Sequence, residues 1–172
     1  VVYGASAGAM ASIVYGKYVE GFLNPNIKKT LIADSPGLHF GRTFWDKFDS
    51  SMKIDFKTVF NRVGLDVDFS DGAISKKMGP VFENYRDWSI GIILGLRDYV
   101  MSKSYGNISP KEERDLILSP DGIPAIASPY SNINVWLKDT HMHTFLLTKY
   151  SAGLISENGD TAYNFATTVY SK

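Results

Sequence analysis

Ser6 lies at the centre of a Gly-Ala-Ser-Ala-Gly sequence, residues 4–8, directly after a short apolar stretch at residues 1–3. A G-x-S-x-G pattern between a strand and a helix is typical of the nucleophile elbow, a tight turn that exposes a serine hydroxyl. Small neighbours suit this turn because larger side chains would crowd the strand and the helix. The free N–H of Ala7 at the start of the helix can stabilise an oxyanion. We therefore predict that Ser6 is a nucleophile and that Ala7 contributes to an oxyanion hole.

A serine nucleophile needs a general base, and histidine is the usual one near neutral pH. The chain has three histidines, at His39, His141 and His143. In α/β-hydrolases the acid and then the histidine follow the serine along the chain, and the histidine lies after the last strand. His143 fits this order best, with His141 as second choice, whereas His39 comes too early. His141 and His143 also permit a metal site with Asp139 or a structural role, but we predict no metal and no other cofactor.

The acid of such a triad must lie between the serine and the histidine, at the carboxyl end of a strand. Asp87 follows the apolar residues 81–85, which suit a strand, and we predict that it is the acid. A helix N-cap is the alternative role for this aspartate. Asp98 is predicted to lie within a helix and Asp121 in a turn, so both fit less well.

The elements that would position these residues alternate between strand and helix patterns. Predicted strands and extended segments lie at residues 1–3, 30–33, 81–85, 125–127 and 134–137. Predicted helices cover residues 7–22, 44–63 (as one helix or two), 87–101, 110–118 and 162–170. Asn24 and Pro25 are predicted to close the first helix, and Ser109 to begin the fourth with a capping box. The alternation predicts an α/β fold with a mostly parallel sheet flanked by helices and a ligand site at the carboxyl ends of its strands.

The composition excludes several other classes of function. The 172 residues are 44% hydrophobic, and 18 basic side chains balance 18 acidic ones, which is typical of a globular chain and not of a nucleic-acid-binding one. The chain has no cysteine, which excludes disulfides, cysteine-based metal sites and a thiol nucleophile. The longest apolar stretch, near residues 90–96, is far shorter than the roughly 20 residues of a membrane span.

Three segments resemble the pectin acetylesterase and Notum family of α/β-hydrolases, which are serine carboxylesterases. Residues 4–8 are similar to the family's elbow, residues 31–37 to its next strand with an Asp-Ser pair, and residues 143–146 to the loop of its catalytic histidine. By order and setting, Asp87 is similar to its acid. The resemblance implies an ester substrate, such as an acylated carbohydrate or another small ester. The missing cysteines indicate a bacterial-type branch. The chain also departs from the family at Ala9, where a glycine is common.

Two alternatives stay open. Residues 4–9 and 71–73 are similar to the elbow and the Asp-Gly-Ala motif of patatin-like lipases, which would pair Ser6 with Asp71 in a dyad without histidine. The 65 positions between these two residues are few for that fold, and the second motif also suits an ordinary turn. The chain could also be a hydrolase-like binding or structural subunit without activity.

The position of the elbow leads to an expectation about the whole protein. The elbow strand is central in a hydrolase sheet, yet Ser6 is the sixth residue of this chain. We therefore expect residues 1–172 to be the C-terminal portion of a single hydrolase domain. Its N-terminal strands would lie in a preceding segment or in a partner chain of the same protein.

Overall fold

A four-stranded sheet forms the centre of the computed structural model, which describes residues 1–24 and 26–172. The strands are β1 (Val2–Ala5), β2 (Lys29–Asp34), β3 (Trp88–Gly95) and β4 (Ile133–Lys138). They lie in the order β1-β2-β3-β4, and each neighbouring pair is parallel. The predicted α/β fold with a parallel sheet flanked by helices is thus confirmed, and it is consistent with an α/β-hydrolase-like fold. Because the strands are parallel, the segments that leave their carboxyl ends meet at one edge of the sheet.

Seven α-helices surround the sheet in the described part of the chain. They are α1 (Ala7–Glu20), α2 (Ser50–Asn61), α3 (Gly79–Asn84), α4 (Pro110–Ile117), α5 (Ile123–Ala127), α6 (Lys149–Ala152) and α7 (Ala162–Ser171). Short 3-10 turns cover Phe44–Lys47 and Ile74–Lys77, and a π-helical segment covers Val100–Gly106. The predicted capping box is confirmed: Ser109 accepts the N–H of Glu112, whose carboxylate accepts the N–H of Ser109. Pro25, predicted to help close the first helix, lies outside the described residues.

Both faces of the sheet are covered. Alternate side chains of β2, β3 and β4 belong to two apolar clusters, as expected for a strand whose successive side chains point to opposite faces. The larger cluster packs the sheet against α1, α3 and α5, and includes Leu31, Ala33, Ile90, Ile92 and Ile133. The smaller cluster packs it against α7, and includes Ile32, Ile93, Trp136, Phe145 and Val169. Burying each large apolar side chain contributes about 1.5–3 kcal/mol to folding.

Three of the predicted elements differ from the structure. Residues 81–85 lie in and just after α3, which begins at Gly79 with a proline in its first turn, a favoured position for proline. Residues 125–127 likewise belong to helix α5. Residues 88–95 are predicted as part of a helix but form β3. The prediction was wrong because an apolar run that is buried on both faces has no period that distinguishes a strand from a helix.

No helix among the described residues is long and apolar enough to span a bilayer.

Candidate active site

Ser6 occupies the sharp turn between β1 and α1. Its backbone has φ 57° and ψ −126°, a conformation that non-glycine residues adopt rarely and at a cost of about 1–3 kcal/mol. The Ser6 N–H donates to the carbonyl oxygen of Asp34 at 2.9 Å, and the Ser6 carbonyl accepts from the N–H of Ala9 at 2.9 Å. A Cβ on Gly4 would overlap the backbone carbonyl of Gly8, so the turn closes only with glycine at position 4. This tight turn at residues 4–8 is called the elbow below.

Ala7 is the first residue of α1 and is exposed. The first N–H groups of a helix have no intrahelical acceptor and carry the positive end of its dipole. The N–H of Ala7 is therefore available to a negatively charged oxygen next to Ser6.

His143 and Asp98 form a close pair at the carboxyl ends of the strands, the edge of the sheet at which Ser6 also lies. His143 Nδ1 lies 2.6 Å from Asp98 Oδ2. A carboxylate can only accept a hydrogen bond, so Nδ1 carries the proton and Nε2 has a free lone pair. His143 Nε2 is buried and has no hydrogen-bond partner in the part of the chain that the structure describes. This imidazole can accept a proton at Nε2 while Asp98 fixes its tautomer and orientation.

Asp98 is positioned by the segment that leaves β3. The residue is only 2% exposed, and its Oδ1 accepts the N–H groups of Val100 at 2.9 Å and Met101 at 3.1 Å. These bonds fix one carboxylate oxygen at the start of the π-helical segment and leave Oδ2 for His143. The sequence favours Asp87 over Asp98, because its helical spacing predicts that Asp98 lies inside a helix.

Asp34 connects the elbow to the histidine loop. Its backbone carbonyl accepts from Ser6, and its buried carboxylate accepts the N–H groups of Phe145 (3.0 Å at Oδ1, 2.8 Å at Oδ2) and Leu146 (2.8 Å). Burial raises the pKa of Asp34, although the N–H groups of Leu146 and Phe145 oppose that shift by stabilising the charged form. Both the elbow and the loop that begins at His143 are thus fastened to the carboxyl end of β2.

Ser35 makes a second connection to that loop. Its Oγ accepts the N–H of Thr144 at 3.1 Å, and its own N–H donates to the carbonyl of Ile93 on β3 at 2.8 Å. Among the described residues, four non-glycine residues have positive φ: Ser6, Ser35, Thr144 and Asn107. Three of them lie at this edge of the sheet, and backbone strain of this kind concentrates at functional sites.

Asp87, the predicted acid, lies at the opposite edge of the sheet. It precedes β3 instead of following a strand, and the eight residues of β3 at about 3.3 Å each separate it from the Asp98 end by roughly 25 Å. Its half-exposed carboxylate pairs with Lys29 and with Lys17, the latter at 3.3 Å. The bond from Lys29 is the main reason why the pKa of Asp87 falls to about 2. The structure therefore places Asp98, and not Asp87, against His143.

The second-choice residues, His141 and Asp71, make contacts of other kinds. His141 is exposed, and its carbonyl accepts the N–H of Tyr99. Asp71 accepts the N–H of Ala73 at 2.9 Å and pairs with Lys76 at 2.5 Å, and these bonds lower its pKa against the opposing effect of burial. Its surroundings are those of a turn.

His39 has a structural environment. It is 3% exposed, and its Nε2 accepts the N–H of Ile123 at 3.2 Å. Burial lowers the pKa of His39 to about 3, so the imidazole is neutral.

Glu113 is a buried carboxyl that is not among the candidate residues predicted from the sequence. It lies in α4 and is 3% exposed, and its Oε2 has no hydrogen-bond partner among the described residues. Burial, together with the charge of Asp98, raises the pKa of Glu113 to about 9. A protonated Glu113 would thus lie in the electrostatic environment of the Asp98 carboxylate. Its sequence context, Pro-Lys-Glu-Glu-Arg, is typical of an exposed helix. The sequence therefore gives no signal for a buried carboxyl at this position.

A cavity of about 490 Å³ opens beside the elbow. Ser6 and Ala7 line it together with side chains of α1, the 3-10 turn Phe44–Lys47, α2 and the π-helical segment. Its volume is within the range of ligand sites, about 300–1,000 Å³. A ligand in this cavity would lie beside Ser6.

Comparison with protein-family models gives no match, and neither does comparison with curated proteins. Among solved structures, the chain is similar to an esterase of Pyrococcus furiosus, with 16% identity and a TM-score of 0.33. The match covers 80% of this chain and 43% of that one, so the chain spans less than half of the esterase's length. The resemblance to the pectin acetylesterase and Notum family gains no support from these comparisons.

Proposed function

We propose that this chain carries the catalytic residues of a serine ester hydrolase, with Ser6 as nucleophile, His143 as base and Asp98 as acid. The observation that carries the proposal is the 2.6 Å contact between His143 Nδ1 and Asp98 Oδ2, which leaves Nε2 free at the edge of the sheet where Ser6 occupies its strained turn. The order serine, aspartate, histidine along the chain is the order of α/β-hydrolase triads.

The reaction proceeds in two halves. Ser6 Oγ attacks the ester carbonyl carbon while His143 Nε2 takes the hydroxyl proton, and the N–H of Ala7 stabilises the resulting oxyanion. The tetrahedral intermediate collapses, the alkoxide leaves with the proton from Nε2, and an acyl-enzyme remains on Ser6. Water then attacks the acyl carbon and gives a proton to Nε2. The second collapse releases the carboxylic acid and returns the proton to Ser6. Asp98 stabilises the imidazolium in both halves without taking its proton.

Active-site labelling tests the nucleophile. We expect a fluorophosphonate probe to modify the full-length protein at Ser6, and Ser6→Ala to abolish labelling and lower turnover of p-nitrophenyl butyrate by about a million-fold. Undiminished labelling of Ser6→Ala would mean that the nucleophile is another residue. A folded wild-type protein that neither labels nor hydrolyses esters would instead favour a binding or structural subunit.

A pair of histidine variants tests the base. His143→Ala removes the proton acceptor and should lower kcat about as strongly as Ser6→Ala, because members of a triad act as a unit. His141→Ala is the matched control, two residues away and exposed, and should retain activity. Full turnover by His143→Ala would contradict the triad and favour the dyad with Asp71.

A further inference from the structure

We propose that the cavity beside Ser6 binds the acyl chain of the substrate, and that the ester which the protein cleaves is that of a medium-length fatty acid. The inference rests on the proposed function, because the cavity becomes an acyl site only if Ser6 attacks the ester carbonyl. It adds to that function the chemical class of the acyl group.

The floor of the cavity is one face of α1. Ala7, Met10, Ala11 and Val14 line it, and their spacing of three and four residues places them on the same side of the helix. Ala7 lies beside the nucleophile, and Val14 is seven residues further along, about 10 Å at 1.5 Å per residue. The cavity thus leads away from the position of the carbonyl for a length that suits an octanoyl chain.

The wall of the cavity is a row of five phenylalanines. Phe40, Phe44, Phe48, Phe56 and Phe60 all line it. Successive ring centroids along this row lie 3.9, 5.5, 5.0 and 5.8 Å apart. The rings support one another in pairwise contact, so the wall is preformed. An apolar ligand can enter without ordering these side chains first.

The charged and tyrosine side chains that line the cavity are exposed, which places them at its rim. Lys47 and Asp55 are exposed, and Tyr15 and Tyr105 are 47% and 52% exposed. Lys47 Nζ donates to the backbone carbonyl of Tyr105, which connects two sides of this rim. A sugar or a charged group inside the cavity would lose its hydrogen bonds to water among the phenylalanine rings, whereas a hydrocarbon chain loses none. The interior of the cavity therefore favours a hydrocarbon acyl chain over a sugar or a charged group.

A series of substrates tests the inference. We expect kcat/KM of the full-length protein for p-nitrophenyl esters to rise from acetate through butyrate and hexanoate to octanoate, by about fourfold for each added methylene. Equal values along the series, or the highest value with acetate, would overturn the inference. If Ser6 is still labelled by a fluorophosphonate in that case, the proposed function stands without this acyl specificity.

A matched pair of variants tests whether the preference for octanoate comes from this cavity. Ala11 lines the cavity, so Ala11→Phe should remove most of the preference for octanoate while lowering acetate hydrolysis much less. Ala125 is exposed in α5, and Ala125→Phe makes the same change away from the cavity. We expect it to keep the wild-type preference. An Ala11→Phe variant that is folded, as judged by its circular dichroism, and that retains the full octanoate preference would contradict the inference.

Binding gives a readout that does not require turnover. We expect octanoate to bind Ser6→Ala with saturation in isothermal titration calorimetry, and Ala11→Phe added to Ser6→Ala to weaken that binding at least tenfold. The absence of saturable binding to folded Ser6→Ala would overturn the inference whether or not the protein hydrolyses esters.

Discussion

His143 Nδ1 lies 2.6 Å from Asp98 Oδ2, although the two residues are 45 positions apart in the chain. The contact exists because β3 and β4 are parallel neighbours, so the segments after Gly95 and Lys138 leave the sheet at the same edge. Asp98 is in addition held by two backbone N–H groups.

The first prediction concerns the identity of the acid. Asp98→Asn should lower kcat roughly 1,000- to 10,000-fold, because a neutral amide no longer fixes the tautomer or stabilises the imidazolium of His143. Asp87→Asn is the matched control and should leave kcat unchanged. Its half-exposed ion pairs contribute only about 0–1 kcal/mol to stability. Steady-state kinetics with p-nitrophenyl butyrate compare the two variants, and equal losses would contradict the assignment of Asp98.

The second prediction concerns the backbone of the elbow. Gly4→Ala should abolish activity and destabilise the protein, because the added Cβ would overlap the Gly8 carbonyl and lie 2.8 Å from Ala9 N. Gly8→Ala introduces the same methyl group where no atom beyond its chain neighbours and its own helix backbone lies within 4 Å, and it should stabilise α1 by up to about 1 kcal/mol. Thermal unfolding measures both effects. A Gly4→Ala variant with wild-type Tm and activity would show that the elbow is not closed as described.

The third prediction concerns the attachment of the histidine loop. Asp34→Asn replaces one acceptor oxygen by an NH2 group that faces the N–H groups of Phe145 and Leu146, and it should cost about 1–3 kcal/mol for each donor left unpaired. We expect faster hydrogen exchange of these two amides and a lower kcat. Ser35→Ala loses only the bond from Thr144 and should have a smaller effect. If both amides of Asp34→Asn remain as protected as in the wild type, Asp34 does not hold the loop.

The fourth prediction concerns the pH dependence of stability. The pKa of Glu113 is raised to about 9 in the folded state from an ordinary value of 4.5. Between these values the folded protein binds one more proton at this residue than the unfolded chain does. The contribution of Glu113 to stability is therefore fully present below about pH 4.5. It falls by up to about 1.4 kcal/mol per pH unit until the pH passes 9.

Glu113→Gln provides the measurement of this effect, because its neutral amide removes the titration. In urea unfolding from pH 5 to pH 8, the free energy of unfolding of Glu113→Gln relative to wild type should rise with pH. A difference that stays constant with pH would show that Glu113 does not titrate in this way.

Local patterns predicted several elements correctly. The capping box at Ser109 and the amphipathic helix at the C-terminus depend on near neighbours in sequence, and both are present in the structure. β3 was missed because its run of isoleucines and glycines is buried on both faces, so its hydrophobic pattern carries no strand period. The error in β3 is also the reason why the sequence favours Asp87 over Asp98. Asp98, predicted to lie within a helix, follows the strand.

The amino-acid sequence was sufficient to predict the α/β fold class and a tight turn at Ser6, since these depend on local spacing and on the alternation of elements. Chain order also led to His143, whose role as base stays a proposal. Tertiary structure decided which aspartate meets the histidine, because that depends on which strand ends share an edge of the sheet. It also decided that the buried carboxylate of Asp34 accepts the N–H groups of a loop more than 100 residues away, and that five phenylalanines line one cavity. These contacts depend on the register of parallel strands and on packing across the sheet. The hydrophobic pattern of a single segment cannot predict either of them.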